Sequence, residues 1–143
     1  MLAADLFTDA GNGIRTISMW FKPDVDIDQA NEYQTALICR NSITEYGEFN
    51  LSFRPSHSDE PGRLVFRRRV GHSAPGIFSD SDNWQSGKWY HVVGTIDPAL
   101  GMQMYIDGVL QGETHSSTEP TDTRGVPTTI GSWGPPSSHV NVD

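Results

Sequence analysis

Two acidic stretches and a handful of aromatics hold most of the residues able to do chemistry. In "DVDID", Asp24, Asp26 and Asp28 alternate, and hard carboxylate oxygens at that spacing converge on a calcium ion when the backbone loops around it. The EF-hand pattern fails, because its sixth position is Gln29 rather than Gly and its twelfth is Thr35 rather than Glu. A second acidic loop, Asp80-Ser81-Asp82-Asn83, makes Asp80 and Asp82 the other candidate calcium ligands. In an acidic chain such clusters are usually solvated loops.

Sugar recognition calls for a flat aromatic to stack on the ring, with amides, carboxylates or arginines beside it to bond hydroxyls. Trp84 next to Asp82 and Asn83, Tyr46 next to Glu45, and Trp133 between Ser132 and Gly134 fit that description in loop-like sequence. Trp20 stands on the polar side of its strand and would join Asn50 and Arg54 if that side is concave. Against each of them stands the commoner role of a sandwich tryptophan, which is core or loop packing. Nucleophilic catalysis has little to build on. There is no Gly-x-Ser-x-Gly, Cys39 has no neighbouring His to serve as its base, and no two of the 5 histidines stand at zinc-ligand spacing. Asn50-Leu51-Ser52 matches a glycosylation sequon but falls in a strand, where it reads as coincidence.

These residues need a scaffold, and the composition supports one. The chain has 143 residues, 36% of them hydrophobic, enough for one domain with a core that needs no metal or disulfide. Its formal net charge is −8, which opposes phosphate neutralisation, so nucleic acid is not an expected partner. The run Arg67 to Arg69 is the only basic cluster. Cys39 is the single cysteine and sits in the apolar "TALIC", the setting of a buried small hydrophobe. No stretch approaches the length of a membrane span, and "MLAADLFTDAGNG" lacks the basic-then-apolar order of a signal peptide.

Short alternating runs separated by Gly, Pro, Asp and Ser point to an all-β, antiparallel fold. In "TISMWFK", Ile17, Met19 and Phe21 share one face, and Ser18, Trp20 and Lys22 the other. In "EFNLSFR", Phe49, Leu51 and Phe53 alternate with polar residues. In "GRLVFRRRV", Leu64 and Phe66 share a face with Arg68, so the strand has left the core there, or bulges, or Arg68 pairs with a buried carboxylate. "WYHVVGTI" is apolar enough to be covered on both faces. After the "DPALG" loop, "MQMYI" returns, and Asp107-Gly108 supplies a type I′ turn into "VLQGET".

Taken in order, "ISMWFKP", "TALICR", "FNLSF", "GRLVF", "GKWYHVVGTID", "MYIDG" and "TIGS" resemble the concanavalin A-like jelly roll of the laminin G-like and pentraxin-like families. The most specific piece runs from Gly87-Lys88-Trp89 through His91, Val92, Thr95 and Asp97 to Tyr105-Ile106-Asp107-Gly108, and the likeness extends from Ile14 to Ser132. It implies an antiparallel two-sheet jelly-roll sandwich. Residues 1–143 read as a single laminin G-like domain, a module of a larger protein, lacking part of the terminal strands. The family usually has one more strand before Ile17 and another beginning near Asn141-Val142-Asp143.

The resemblance implies a non-catalytic recognition or adhesion module, extracellular or at the cell surface, binding a glycan or a surface protein without inserting into a membrane. The retaining glucanases of this jelly roll carry Glu-x-Asp-x-x-Glu on one strand face. No such run occurs here, and the nearest pair, Glu45 and Glu48, flanks a turn-like Tyr46-Gly47. The alternative reading is a structural or assembly module decorating a particle or filament. Shortened end strands would leave unpaired edges. "LAADLF" and "SHVNV" are expected to supply substitute strands, and a second copy would cover a remaining edge by antiparallel pairing in a homo-oligomer.

Overall fold

The computed structural model describes residues 15–32, 35–40, 49–68, 75–97, 99–114 and 128–131. They form nine strands: β1 (Arg15–Phe21), β2 (Ala36–Arg40), β3 (Phe49–Phe53), β4 (Leu64–Arg68), β5 (Gly76–Phe78), β6 (Tyr90–Asp97), β7 (Gly101–Ile106), β8 (Val109–Thr114) and β9 (Thr129–Ile130). Every described pairing is antiparallel. One sheet has the order β1-β6-β7-β8 and the other β5-β4-β3-β2-β9. Their apolar faces meet in one core, so the chain is a jelly-roll sandwich.

The alternation read from the sequence decides which face turns inward. Ile17 and Phe21 of β1 pack with Tyr90, Val92 and Ile96 of β6 and with Met102, Met104 and Ile106 of β7. From the other sheet come Ile38, Phe49, Leu51, Phe53, Leu64, Phe66 and Ile77. The sheets approach closely at Gly94, where an added Cβ would lie 2.9 Å from the Phe66 ring. A glycine is required there, because any side chain would collide with that ring.

Two expectations about individual strands are corrected. β6 is not covered on both faces: Tyr90, Val92, Gly94 and Ile96 are buried, whereas His91, Val93, Thr95 and Asp97 keep part of their surface. A strand in a sheet with one solvent-facing side needs only every second residue apolar, and Val93 is the exception that made the run look continuous. Arg68 neither leaves the core nor follows a bulge. It is 3% exposed, and β3 and β4 stay in unbroken register from Phe53↔Leu64 to Phe49↔Arg68. Arg40, 1% exposed, pairs with Phe49 from the other side, so two buried arginines flank one phenylalanine at the end of the core.

The β7–β8 hairpin turns as expected. Asp107 has φ 50° and Gly108 φ 81°, positive at both central positions as a type I′ turn requires. Cys39 is fully buried, with Sγ 3.1 Å from Thr129 Oγ1. Among the described residues β1, β8, β5 and β9 are the sheet edges. "LAADLF" and "SHVNV" lie outside the described residues.

Candidate functional site

Trp84 does not offer its ring to a ligand. It is 1% exposed, packed among Phe21, Phe53 and Tyr90 at centroid distances of 5.6, 5.5 and 5.0 Å. Its Nε1 donates to Gly62 O at 3.0 Å, and its backbone pairs with Ile27 through two hydrogen bonds of 2.8 and 2.9 Å. The residue read as a sugar platform is therefore an anchor that ties the second acidic loop to the core. Flanking Asp and Asn residues made it look like part of a binding loop, but a large aromatic gains most by burial when its N–H finds an acceptor.

The two acidic loops meet around Gly62, whose φ is 75° and whose added Cβ would strike Asp82 O, Asp28 C and Gln29 N. Their carboxylates nevertheless serve separate tasks. Asp26 Oδ1 accepts from Ser86 N at 2.7 Å and Asp28 Oδ1 from Ala30 N at 2.7 Å. Asp82 Oδ2 accepts from Gln29 Nε2 at 2.5 Å, while Asp24 is exposed. No three acidic, histidine or cysteine side chains converge on a point among the described residues. The calcium expectation at Asp24, Asp26 and Asp28, or at Asp80 and Asp82, thus meets carboxylates of which Asp26, Asp28 and Asp82 are engaged in loop closure, and the set does not converge into the cage the ion needs.

Asp80 and Asn83 do come together with other groups at the rim. A cleft of about 580 Å³ opens there, with Asp80, Asn83, Lys88, Tyr90, Asp107 and Gln111 among its lining residues. Asp80 N donates to Gln111 Oε1 at 2.9 Å, and Lys88 Nζ stands 4.8 Å above the Tyr90 ring. Its two aromatics, Trp84 and Tyr90, are both buried, which leaves no free ring face for stacking. Tyr46 and Trp133 lie outside the described residues.

Exposed aromatics gather instead on the open face of the β1-β6-β7-β8 sheet. Trp20 is 62% exposed and Trp89 58%. Trp20 pairs with His91 and Phe21 with Tyr90 across β1 and β6, and continuing that antiparallel register one step further sets Lys22 beside Trp89. The Trp20 and His91 rings stack at 4.6 Å with an interplanar angle of 22°, and Lys22 Nζ lies 5.5 Å from the Trp89 ring centre. Trp20 and Trp89 are thus diagonal neighbours, within about 7–8 Å of each other in ordinary sheet geometry.

Polar groups fix the ridge from beneath. Ser18 Oγ and His91 Nε2 share a hydrogen bond of 2.9 Å. The hairpin turn grips the same strand: His91 N donates to Asp107 Oδ1 and Asp107 N to His91 O, both at 2.8 Å. Further along the face, Tyr105 donates its hydroxyl to Gln103 Oε1 at 3.2 Å, and Gln103 Nε2 reaches Glu113 Oε2 at 3.3 Å. Sequence reasoning named Trp89 and His91 only as part of a strand motif, not as ligand contacts, and joined Trp20 to Asn50 and Arg54 on condition that its face is concave. Those two lie on the face of β3 that points away from Phe49, Leu51 and Phe53, on the far side of the sandwich from Trp20. The missing signal was the antiparallel alignment of Lys22 and Trp20 with Trp89 and His91, which appears only once β1 is known to pair with β6.

Carboxylates are sparse on the strands. β2, β3, β4, β5 and β9 carry none. On β6, Asp97 Oδ1 accepts from Ala99 N at 2.7 Å and Leu100 N at 3.1 Å, closing the loop into β7. No described helix is long and apolar enough to cross a membrane.

Comparison with known proteins agrees with this architecture. No curated protein sequence matches the chain. Fifteen solved chains do, among them the native heptameric SAP-like pentraxin from Limulus polyphemus, at 17% identity and a TM-score of 0.51. That match covers 82% of this chain but 50% of the pentraxin, so the chain spans half the length of that protein and the likeness concerns the fold alone. A laminin G-type family model, described as concanavalin A-like lectin/glucanases superfamily, matches residues 2–141. With nearly the whole chain matched and the two-sheet sandwich in place, the chain belongs to the concanavalin A-like lectin/glucanases superfamily.

Proposed function

We infer that the domain is a non-catalytic recognition module that binds a glycan on the open face of its four-stranded sheet. The observation that carries this reading is the ridge of Trp20 and Trp89, two large indoles left 62% and 58% exposed on a rigid sheet. Leaving such rings in water forgoes burial energy of the order of 1.5–3 kcal/mol for a large apolar side chain, a cost that a ligand-binding surface recovers. Sugar rings present axial C–H groups to an aromatic face, and their hydroxyls suit Ser18, Thr95, Gln103 and Glu113 along the same side. The absence of a carboxylate set on the described strands supports a binding role over glycoside cleavage. The module would act outside the cell as part of a larger protein, without contacting nucleic acid.

Screening the intact domain on a glycan array, followed by titration of the best ligand, tests the proposal. Trp20→Ala and Trp89→Ala should each weaken binding about tenfold, near 1.4 kcal/mol, with unchanged melting. Binding that survives both substitutions would move the site elsewhere, to the rim cleft first. The same exposed indoles also suit an assembly module, in which a neighbouring copy or particle covers them. Self-association that Trp20→Ala abolishes, with no glycan bound, would favour that alternative.

A further inference from the structure

Lys22 adjoins both exposed indoles. It stands on the Trp20 side of β1, just past the end of the strand, and its Nζ lies 5.5 Å from the Trp89 ring centre. The side chain is exposed, and among the described residues no carboxylate pairs with it. Arg63, by contrast, has Glu60 at 3.0 Å. A cation over an aromatic face is attracted to the ring without giving its N–H groups an oxygen acceptor. Trp89 therefore holds the ammonium in place while its donors stay open to a ligand.

The other polar groups beside the indoles are turned to the protein. Ser18 Oγ and His91 Nε2 bond each other, and the imidazole stacks on one face of Trp20. Most carboxylates of this sheet face stand far from Lys22. Glu113 pairs with Gln103 and Gln103 with Thr95, which puts Glu113 roughly 20 Å from Trp89 along β6 at about 3.3 Å per residue. Asp97, at the end of β6, is farther still. Two others come closer: Asp24, just beyond Pro23, makes no ion pair with Lys22, and Asp107 gives one oxygen to His91 N at 2.8 Å. Exposed charges are screened over about 8 Å at physiological ionic strength, so the net charge of −8 does not decide what meets this ammonium. Its immediate surroundings do.

We propose that Lys22 sets the ligand class of the ridge, selecting a glycan whose carboxylate or sulfate group takes the ammonium while a sugar ring lies on an indole. This rests on the ridge being the glycan site and names what that site takes. A neutral sugar offers Nζ only hydroxyl oxygens, whereas an acidic one brings the opposite charge to the same contact, and complementary charge is what discriminates between partners.

The intact domain is screened on an array of neutral, uronate-bearing and sulfated oligosaccharides. The best ligand is then titrated beside its neutral counterpart, made by reducing the carboxyl groups or removing the sulfate. Acidic glycans should bind, the set that binds tells carboxylate from sulfate, and the neutral counterpart should bind about tenfold more weakly. K22Q, once shown to melt like the parent, should lose the same factor toward the acidic ligand and bind the neutral one as the parent does. K22R keeps the charge and should keep the preference. Added sodium chloride should weaken acidic-ligand binding in the parent and much less in K22Q. Equal binding of the acidic and neutral forms, or a preference unchanged in K22Q, would overturn the proposal and leave the ridge as a neutral-sugar site. Failure of every glycan on the array to bind would overturn the ridge as a glycan site, and this proposal with it.

Discussion

Trp84 gives up nearly all of its accessible surface and donates its indole N–H to Gly62 O, whereas Trp20 keeps 62% of its surface in water. The two tryptophans should therefore respond to truncation in opposite ways. Trp84→Ala removes the centre of the Phe21, Phe53 and Tyr90 cluster and is expected to cost about 3–5 kcal/mol in urea unfolding, the range for a large aromatic lost from a core. Trp20→Ala removes an exposed ring and should fall within roughly 0.5 kcal/mol of the parent. Equal losses in the two variants would mean that the ridge is packed rather than presented. Because of this contrast, Trp84 is a poor probe of ligand binding. Any effect of its loss would pass through the fold.

At the scale of elements, the β7–β8 hairpin supplies both the edge of one sheet and the Asp107 carboxylate that holds β6 under the ridge. Gly108 has φ 81° and open space where its Cβ would be, so a substitution there strains the backbone without any clash. Gly108→Val should cost about 1–3 kcal/mol, and Gly108→Ala about 1–2 kcal/mol, both read from chemical denaturation. Since the turn grips His91, the valine variant should also weaken glycan binding by a larger factor than its stability loss alone explains at temperatures well below melting. The acidic loops form a second such element. Asp26, Asp28 and Asp82 each close a loop through a hydrogen bond, so millimolar calcium should leave the melting temperature where a chelator leaves it. A rise of the size that a hundredfold excess over Kd produces, roughly 2.7 kcal/mol, would restore the calcium site.

For the whole molecule, the sandwich presents an aromatic ridge on the outer face of the four-stranded sheet and keeps its other sheet's apolar residues for the core. If the ridge serves a ligand and the edges are covered within one chain, the domain should run as a monomer of 15.8 kDa by light scattering at micromolar concentration; edge pairing would instead give a dimer or larger. A larger mass that persists in Trp20→Ala and Trp89→Ala would instead assign self-association to the sheet edges, where unpaired backbone groups invite a second copy.

The sequence by itself determined β1 and β3, whose two-residue period is written directly in the order of side chains, whereas β6 was legible only as an apolar run and β7 and β8 through the turn that joins them. The Asp-Gly turn was legible because its demand for positive φ is local. β5 was not, since three residues between turn formers are too few to show a period. Burial of Arg68 was not legible either, because it depends on what lies over the end of a strand. Which side chains meet across strands was decided only by tertiary structure. Lys22 and Trp20 come to face Trp89 and His91 because β1 pairs with β6 in one particular register. The same global pairing sends Asn50 and Arg54 to the opposite face and draws Trp84 out of its acidic loop into the core. Pairing between residues some seventy positions apart, as Ser18 and His91 are with a separation of 73, is selected by the burial of whole faces, a property that no local stretch of sequence contains.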